Sequence, residues 1–277
     1  MTFKKGGFIL KKHFKKLLFI FSFILTLLVS ATPLAFSSND NTEFNWYFVS
    51  REKNKTPEAP KESATFLKDS NSFYVGDTTK KELYLTFDEG YEKGNTEEIL
   101  DILKSLNVKA AFFVVKPYIT SHASTVTRMV KEGHLVCNHT NTHPSMASIT
   151  DVSKFNEEIN SVNEAYKELI GEDMPKFFRP PMGKYSKSSL DKTSALGYKT
   201  IFWSFAYRDW LVNDQPNPEF AMKKIKNGVH PGCIMLLHAV SDTNTKILKD
   251  LIISLQQDGY EFKTLNDLPD KMIIEWS

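Results

Sequence analysis

Beyond residue 81 the chain alternates short apolar runs with stretches of helical periodicity, and this alternation limits its fold more than any other feature. The apolar runs predict strands at residues 83–87, 109–115, 134–138, 176–179, 198–203, 233–237 and 260–265. The periodic stretches predict helices at residues 96–106, 122–132, 151–170, 186–196, 217–228 and 243–258. Gly133, Gly197 and Gly259 follow helices, where a left-handed cap is expected. Repeated strand–helix units predict an α/β fold whose parallel sheet is either open or closed into a barrel.

The predicted strands are followed by residues that can carry chemistry. In chain order these are Asp88 and Glu89, His139 and His143, Arg179, Asp209 and Trp210, and His238. Each one alone has an ordinary explanation, such as a turn residue, a surface histidine or half of a structural ion pair. In parallel α/β folds, however, active sites are built at the carboxyl ends of the strands. Convergence of these residues at one edge therefore predicts a functional site.

Two of the histidines have the spacing of a metal site. His139 and His143 are four residues apart, which places both imidazoles on one side of a turn or a short helix. The pair alone is a weak signal, but a carboxylate from the loop after the first strand would complete a three-ligand site with open positions, as in catalytic zinc sites. Zinc is the expected metal, and the ligand types do not exclude iron, cobalt or manganese. No G-x-G-x-x-G or phosphate-loop sequence follows a predicted strand, which argues against a nucleotide enzyme.

The N-terminal residues have the pattern of a secretory signal peptide or a membrane anchor. Residues 1–16 contain six lysines and no acidic residue, and the next twenty residues, to Phe36, contain no charge. Ala31 and Ala35 are candidate cleavage positions, whereas an uncleaved segment of this length would span a bilayer. Both alternatives place the rest of the chain outside the cytoplasm. The sequence thus predicts three parts: a signal or anchor at 1–36, a linker and N-terminal extension at 37–80, and the main domain at 81–277.

Composition excludes several classes of protein. With 41% hydrophobic and 25% charged residues, the chain is neither disordered nor a multispanning membrane protein. Without the six N-terminal lysines, 29 basic residues stand against 33 acidic ones, so nucleic-acid binding is not expected. Cys137 and Cys233 lie in apolar runs and are predicted to be buried free thiols, with a disulfide between them as the alternative. The aromatic cluster around Trp46 is expected to pack on the main domain rather than to face carbohydrate.

Five motifs follow one another in an order that is typical of one enzyme family. They are T-F-D-E-G at 86–90, H-x-x-x-H at 139–143, R-P-P-x-G at 179–183, D-W at 209–210 and L-L-H at 236–238. In these motifs the chain resembles the polysaccharide deacetylases of carbohydrate esterase family 4, the NodB-homology family. The stretches 86–92, 202–210 and 230–241 are similar to the muramic δ-lactam de-N-acetylases of spore-forming bacteria. That subgroup removes acetyl from N-acetylmuramic acid that has lost its peptide, which allows the lactam of spore cortex to form.

The resemblance implies a distorted (β/α) barrel that spans roughly residues 80–268 and a hydrolase acting on an amide bond. Asp88 would be the general base, and Arg179 would hold it. His238 would be the general acid that protonates the leaving amine, and Asp209 would orient it.

The resemblance also implies one divalent metal ion and contacts to the sugar. Glu89, His139 and His143 would be the metal ligands. The backbone N–H near Met182 would help the metal to hold the oxyanion, and Trp210 would contact the substrate. The implied partners are peptidoglycan glycan strands, and the membrane is expected as a partner only through the N-terminal segment. A monomer is the expected state.

Two departures from the family pattern bear on function. Glu89 stands where the family usually has a second Asp that ligates the metal, and Ala206 stands where an earlier Asp is usual. A metal-dependent peptidoglycan N-deacetylase is the leading hypothesis. The alternatives are a deacetylase of chitin oligomers or poly-N-acetylglucosamine, and a non-catalytic glycan-binding relative. Residues 91–95, 116–121 and 205–216 are expected to decide between glycans.

Overall fold

The described part of the chain, residues 40–63 and 66–273 of the computed structural model, contains two sheets and seven α-helices. The strands are β1 (Phe44–Asn45), β2 (Ser72–Phe73), β3 (Glu82–Glu89), β4 (Ala111–Val114), β5 (Leu135–Asn138), β6 (Phe177–Phe178), β7 (Lys184–Tyr185), β8 (Lys199–Ile201), β9 (Cys233–His238) and β10 (Glu261–Lys263). The helices are α1 (Thr96–Ser105), α2 (Lys116–Ser121), α3 (Ala123–Lys131), α4 (Val152–Ile170), α5 (Lys187–Ala195), α6 (Pro218–Gly228) and α7 (Asp242–Gln257).

In the main sheet, strand β3 pairs with more strands than any other. Strands β4, β9 and β10 all pair with β3 in parallel, and the sheet continues from β4 through β5, β6 and β8 to β2. A parallel bridge between Phe205 and Met235 connects the segment after β8 to β9. Because β9 also pairs with β3, this bridge curls the sheet toward a barrel. Successive β3 residues, such as Tyr84 and Leu85, enter two different apolar clusters, as expected for a parallel strand covered on both faces. The predicted α/β fold of the distorted-barrel type is confirmed.

Most predicted elements are present, and two of them need correction. The strand predicted at 83–87 continues to Glu89, because pairing with β4 extends that far. The helix predicted at 122–132 is preceded by a separate helix, α2, which has Pro117 in its first turn. His122 separates α2 from α3 with a non-helical φ of −127°. The predicted left-handed caps are confirmed, since all three glycines that follow helices have φ between +81° and +86°.

The segment predicted as linker and extension packs on the main domain. Trp46 stacks on Phe202 with ring centroids 4.2 Å apart, and Tyr74 is buried beside it. Strand β2 lies within this segment and pairs with β8, so the sheet includes residues that precede the predicted start of the main domain. The expectation that the aromatic cluster packs on the main domain is therefore confirmed.

Two further predictions concern the cysteines and the N-terminus. Cys137 and Cys233 are both buried and free, as predicted. The predicted signal or anchor at 1–36 lies outside the described residues. Within the described residues, no helix combines the length and the hydropathy that crossing a membrane requires.

Candidate active site

Asp88 lies near the carboxyl end of β3, where pairing with Phe113 of β4 and with His238 of β9 fixes its backbone. Its carboxylate accepts a hydrogen bond from Nη1 of Arg179 at 2.7 Å and lies 3.6 Å from Nε2 of His139. Burial alone would raise the pKa of Asp88, but the charge and hydrogen bond of Arg179, with smaller contributions from the imidazoles of His139 and His238, outweigh it and lower that pKa below its ordinary value. Asp88 is therefore ionised at neutral pH and suited to accept a proton.

Arg179 is fully buried behind Asp88, and each part of its guanidinium has a partner. Nε donates to the carbonyl of Ile201 at 3.0 Å, Nη1 donates to Asp88, and Nη2 donates to the hydroxyl of Thr86 at 2.9 Å. Its Cζ lies 4.1 Å from the centroid of the Phe113 ring. A buried charge needs such pairing, and the planar guanidinium fixes the direction of the carboxylate. The structure thus brings together the Asp88–Arg179 pair that the sequence predicts.

A tight turn after β5 brings His139 and His143 together, with ring centroids 4.9 Å apart. Asn138 accepts a hydrogen bond from the N–H of Thr140 at 3.0 Å, and the Thr140 hydroxyl accepts one from the N–H of His143 at 2.9 Å. Nδ1 of His139 lies 2.8 Å from the carbonyl oxygen of Arg179. Because a carbonyl only accepts, Nδ1 carries the proton and Nε2 presents a lone pair.

This tautomer and this spacing suit two imidazole ligands of a divalent cation. The third predicted ligand, Glu89, is placed differently. It is 1% exposed, lies against Thr96 and Glu92, and has one carboxylate oxygen without a hydrogen-bond partner. Burial and the carboxylates of Glu92 and Asp88 raise the pKa of Glu89 well above its ordinary value. In the described part of the chain, no three His, Cys, Asp or Glu side chains are grouped to hold a metal. The ligand role of Glu89 therefore stays a prediction without a geometric counterpart.

His238, the last residue of β9, is held by the fully buried Asp209. Oδ1 of Asp209 lies 2.7 Å from Nδ1 of His238, and Oδ2 accepts from the backbone N–H of His238 at 2.9 Å. Asn244 donates to the same Oδ2 at 2.6 Å, and the hydroxyl of Tyr207 donates to the amide oxygen of Asn244. Burial would lower the pKa of His238, but the hydrogen bond and charge of Asp209 outweigh it and raise that pKa. With Nδ1 engaged, His238 is suited to donate a proton from Nε2.

One cavity of about 750 Å³ brings these groups together. Asp88, Glu89, His139, His143 and His238 all line it, and Arg179 and Asp209 support Asp88 and His238 from behind through the contacts above. A cavity of this size has room for a small ligand such as a sugar ring with its substituents. The convergence that the strand ends predict is therefore present in the structure.

The predicted substrate contacts, Met182 and Trp210, also line this cavity, and they are 54% and 48% exposed. The Trp210 ring lies 5.5 Å from the His238 ring, centroid to centroid. Met182 has a φ of +58° and Gly183 one of +65°. A Cβ at position 183 would lie 2.9 Å from the Trp203 ring, so this turn requires glycine there. Left-handed backbone of this kind clusters at functional sites.

The sequence did not indicate the supporting roles of Thr86, Tyr207 and Asn244. Thr86 belongs to the T-F-D-E-G motif, but nothing local shows that its hydroxyl accepts from an arginine 93 residues away. Asn244 is 35 residues from Asp209 and lies in the first turn of α7, where polar residues are common for reasons of helix capping. Only the three-dimensional structure reveals these contacts.

Comparison with known proteins provides an independent test of the family resemblance. A family model described as polysaccharide deacetylase matches residues 75–201. The peptidoglycan-N-acetylmuramic acid deacetylase PdaA of Bacillus subtilis (strain 168) is 38% identical over 228 residues, which are 82% of this chain and 86% of that protein. An uncharacterized 30.6 kDa protein of Geobacillus stearothermophilus is 43% identical over 235 residues, which are 85% of this chain and 88% of that protein. The solved structure of Bacillus subtilis PdaA, a family 4 carbohydrate esterase, matches with a TM-score of 0.79 and 38% identity and covers 82% of this chain and 97% of that one.

Proposed function

Because the chain belongs to the polysaccharide deacetylase family, carbohydrate esterase family 4, we propose that it hydrolyses the N-acetyl group of N-acetylmuramic acid in peptidoglycan that has lost its stem peptides. This reaction would lead to the muramic δ-lactam of spore cortex and would take place outside the cytoplasm. The observation that carries the proposal is that two pairs, Asp88 with Arg179 and His238 with Asp209, meet at one cavity. The similarity to a muramic acid deacetylase over 82% of the chain supports the choice of sugar.

Asp88 would act as the general base. A water molecule that adds to the acetyl carbonyl carbon must lose a proton, and the lowered pKa of Asp88 keeps its carboxylate available to accept it. Arg179 would hold that carboxylate in one orientation through the 2.7 Å hydrogen bond. General base assistance of this kind contributes about 10²–10⁴-fold in rate.

His238 would act as the general acid. The amine of a sugar is a poor leaving group until its nitrogen is protonated, and His238 would supply that proton from Nε2. Asp209 would accept the Nδ1–H and stabilise the imidazolium, which agrees with the raised pKa of His238. The exposed ring of Trp210 beside His238 would pack against the sugar.

A divalent cation, with zinc as the favoured ion, would be held by His139 and His143, and Glu89 would join them only after leaving its position against Thr96. Such an ion supplies polarisation of the acetyl carbonyl and activation of water when it is bound. The backbone N–H near Met182 would donate a hydrogen bond to the developing oxyanion.

Two alternatives are set against this proposal. A deacetylase of chitin oligomers or poly-N-acetylglucosamine would use the same pairs of residues on a different sugar. A glycan-binding protein without activity is favoured by one observation, the lack of a three-residue metal group in the described part of the chain. Against it, a protein that only binds glycan has no need of a buried arginine on Asp88 or of a carboxylate on His238.

Acetate release tests the proposal directly. The purified protein is given peptide-stripped peptidoglycan glycan or N-acetylglucosamine oligomers, each with added zinc or with a chelator. We expect zinc-dependent release from the stripped glycan and little from the oligomers. Release from the oligomers alone would replace the proposed substrate, and release from neither would favour the binding protein. Release that is unaffected by the chelator would remove the metal from the mechanism.

A further inference from the structure

We propose that Arg208 binds the lactyl carboxylate of N-acetylmuramic acid and gives the cavity its preference for this sugar, an inference that rests on the proposed function. N-acetylmuramic acid differs from N-acetylglucosamine by a lactyl ether at C3, next to the C2 atom that carries the acetamide. Once the stem peptide is removed, the lactyl group ends in a free carboxylate, which is ionised at neutral pH. A cavity that holds the acetamide must therefore also accommodate a negative charge close to it.

Arg208 is placed to meet that charge. It lines the same cavity as Asp88 and His238, and its side chain is 63% exposed. The other arginine of the site, Arg179, is fully buried and donates to Asp88, Thr86 and a backbone carbonyl, so its guanidinium is engaged. A guanidinium suits a carboxylate better than an ammonium does, because its planar fork donates two parallel hydrogen bonds.

The present partner of Arg208 is easily exchanged. Its Nη2 lies 2.6 Å from Oδ2 of Asp214, and the Asp214 side chain is 64% exposed. Ion pairs between two such exposed side chains contribute little to stability. A substrate carboxylate can therefore replace the Asp214 carboxylate at small cost.

The backbone at Arg208 is fixed relative to the reacting atoms. The next residue, Asp209, is fully buried and hydrogen-bonded to His238 and Asn244. These contacts hold the backbone at Arg208 close to the proposed general acid. Val212 and Val240 also line this cavity and offer apolar surface for the lactyl methyl group. The cavity lining thus includes both a cation and apolar side chains, the two kinds of surface that a lactyl substituent needs.

The test compares Arg208→Gln with the unchanged protein on two substrates. One is peptide-stripped glycan with free lactyl carboxylates, and the other is the same glycan with those carboxylates converted to neutral methyl amides. We expect Arg208→Gln to raise KM on the free-carboxylate glycan by about 10- to 100-fold with little change in kcat, because the guanidinium and its charge-assisted hydrogen bonds to the carboxylate are lost. On the amidated glycan the variant and the unchanged protein should have the same kcat/KM.

A matched control is Asp214→Asn, which releases Arg208 from its ion pair but keeps the guanidinium. We expect an equal or lower KM on the free-carboxylate glycan, and a KM that rises as much as in Arg208→Gln would overturn the inference. An equal loss on both glycans in Arg208→Gln, or no loss on either, would also overturn it while leaving the proposed function standing. If the unchanged protein releases acetate from neither glycan, the proposed function fails, and the role of Arg208 fails with it.

Discussion

Replacing Asp209 by Asn separates the charge of this residue from its shape. Oδ2 of Asp209 accepts from two donors, the backbone N–H of His238 at 2.9 Å and the amide of Asn244 at 2.6 Å. In Asp209→Asn the new amide oxygen must therefore take that position. The new NH₂ group then points at Nδ1 of His238, which is 2.7 Å from the other oxygen in the unchanged protein. His238 would have to accept at Nδ1, so the tautomer that this position now stabilises is lost.

The size of the effect follows from the hydrogen bond that is removed. A hydrogen bond to a charged partner contributes about 1.5–3 kcal/mol, so its loss should lower the pKa of His238. Asp209 holds that pKa above its ordinary value, so activity that requires protonated His238 is present below the pKa and is lost as pH rises through it. The alkaline limb of the rate profile should therefore move to lower pH, and kcat should fall by about 10²–10⁴-fold.

Steady-state acetate release between pH 5 and 10 measures the fall in kcat and the shift of the alkaline limb. Thermal unfolding of each variant checks that it is folded. Asp173→Asn is the matched control, because it is the same substitution at an exposed residue that pairs with Lys167 away from the cavity. An Asp209→Asn protein that unfolds normally and keeps both its kcat and its alkaline limb would refute the assignment of His238 as an acid oriented by Asp209.

Two further variants test the Arg179–Asp88 ion pair and the close backbone approach at Gly232. Arg179→Met should cost about 3–5 kcal/mol in urea unfolding, because it leaves the largely buried carboxylate of Asp88 without its guanidinium partner. Any remaining activity should have its acidic limb at higher pH, since burial would then raise the pKa of Asp88 without opposition from the guanidinium. Gly232→Ala should cost at least ~2 kcal/mol, because φ is +70° and the new Cβ would lie 2.9 Å from the backbone of Asp77. Gly171→Ala is its control, with φ of +94° and open space around the Cβ, and should cost about half as much.

The strand ends were predictable because apolar runs and glycine caps are local signals. They place Asp88, His139 and His238 at one edge of the sheet, and parallel pairing of β3 with β9 sets Asp88 directly beside His238. The Asp88–Arg179 pair was not readable from residues alone, since the two are 91 positions apart, and it came from the order of the motifs.

The position of Glu89 shows where the sequence was insufficient. A strand that stops at Phe87 leaves Asp88 and Glu89 in a loop, where both carboxylates could turn to the same two histidines. In the structure β3 includes both residues, and successive side chains of a strand point to opposite faces. Glu89 consequently lies against Thr96 of α1, while Asp88 lies near His139. Strand length depends on pairing with β4, which periodicity does not reveal.

The most direct test of the account is acetate release from peptide-stripped peptidoglycan by the unchanged protein and by Asp88→Asn. The substitution keeps the shape of the side chain and removes its ability to accept a proton. We expect the unchanged protein to release acetate from muramic residues and Asp88→Asn to lose about 10²–10⁴-fold in kcat while still unfolding cooperatively. Comparable rates for the two proteins would contradict the role of Asp88 as general base, and with it the mechanism built on this cavity.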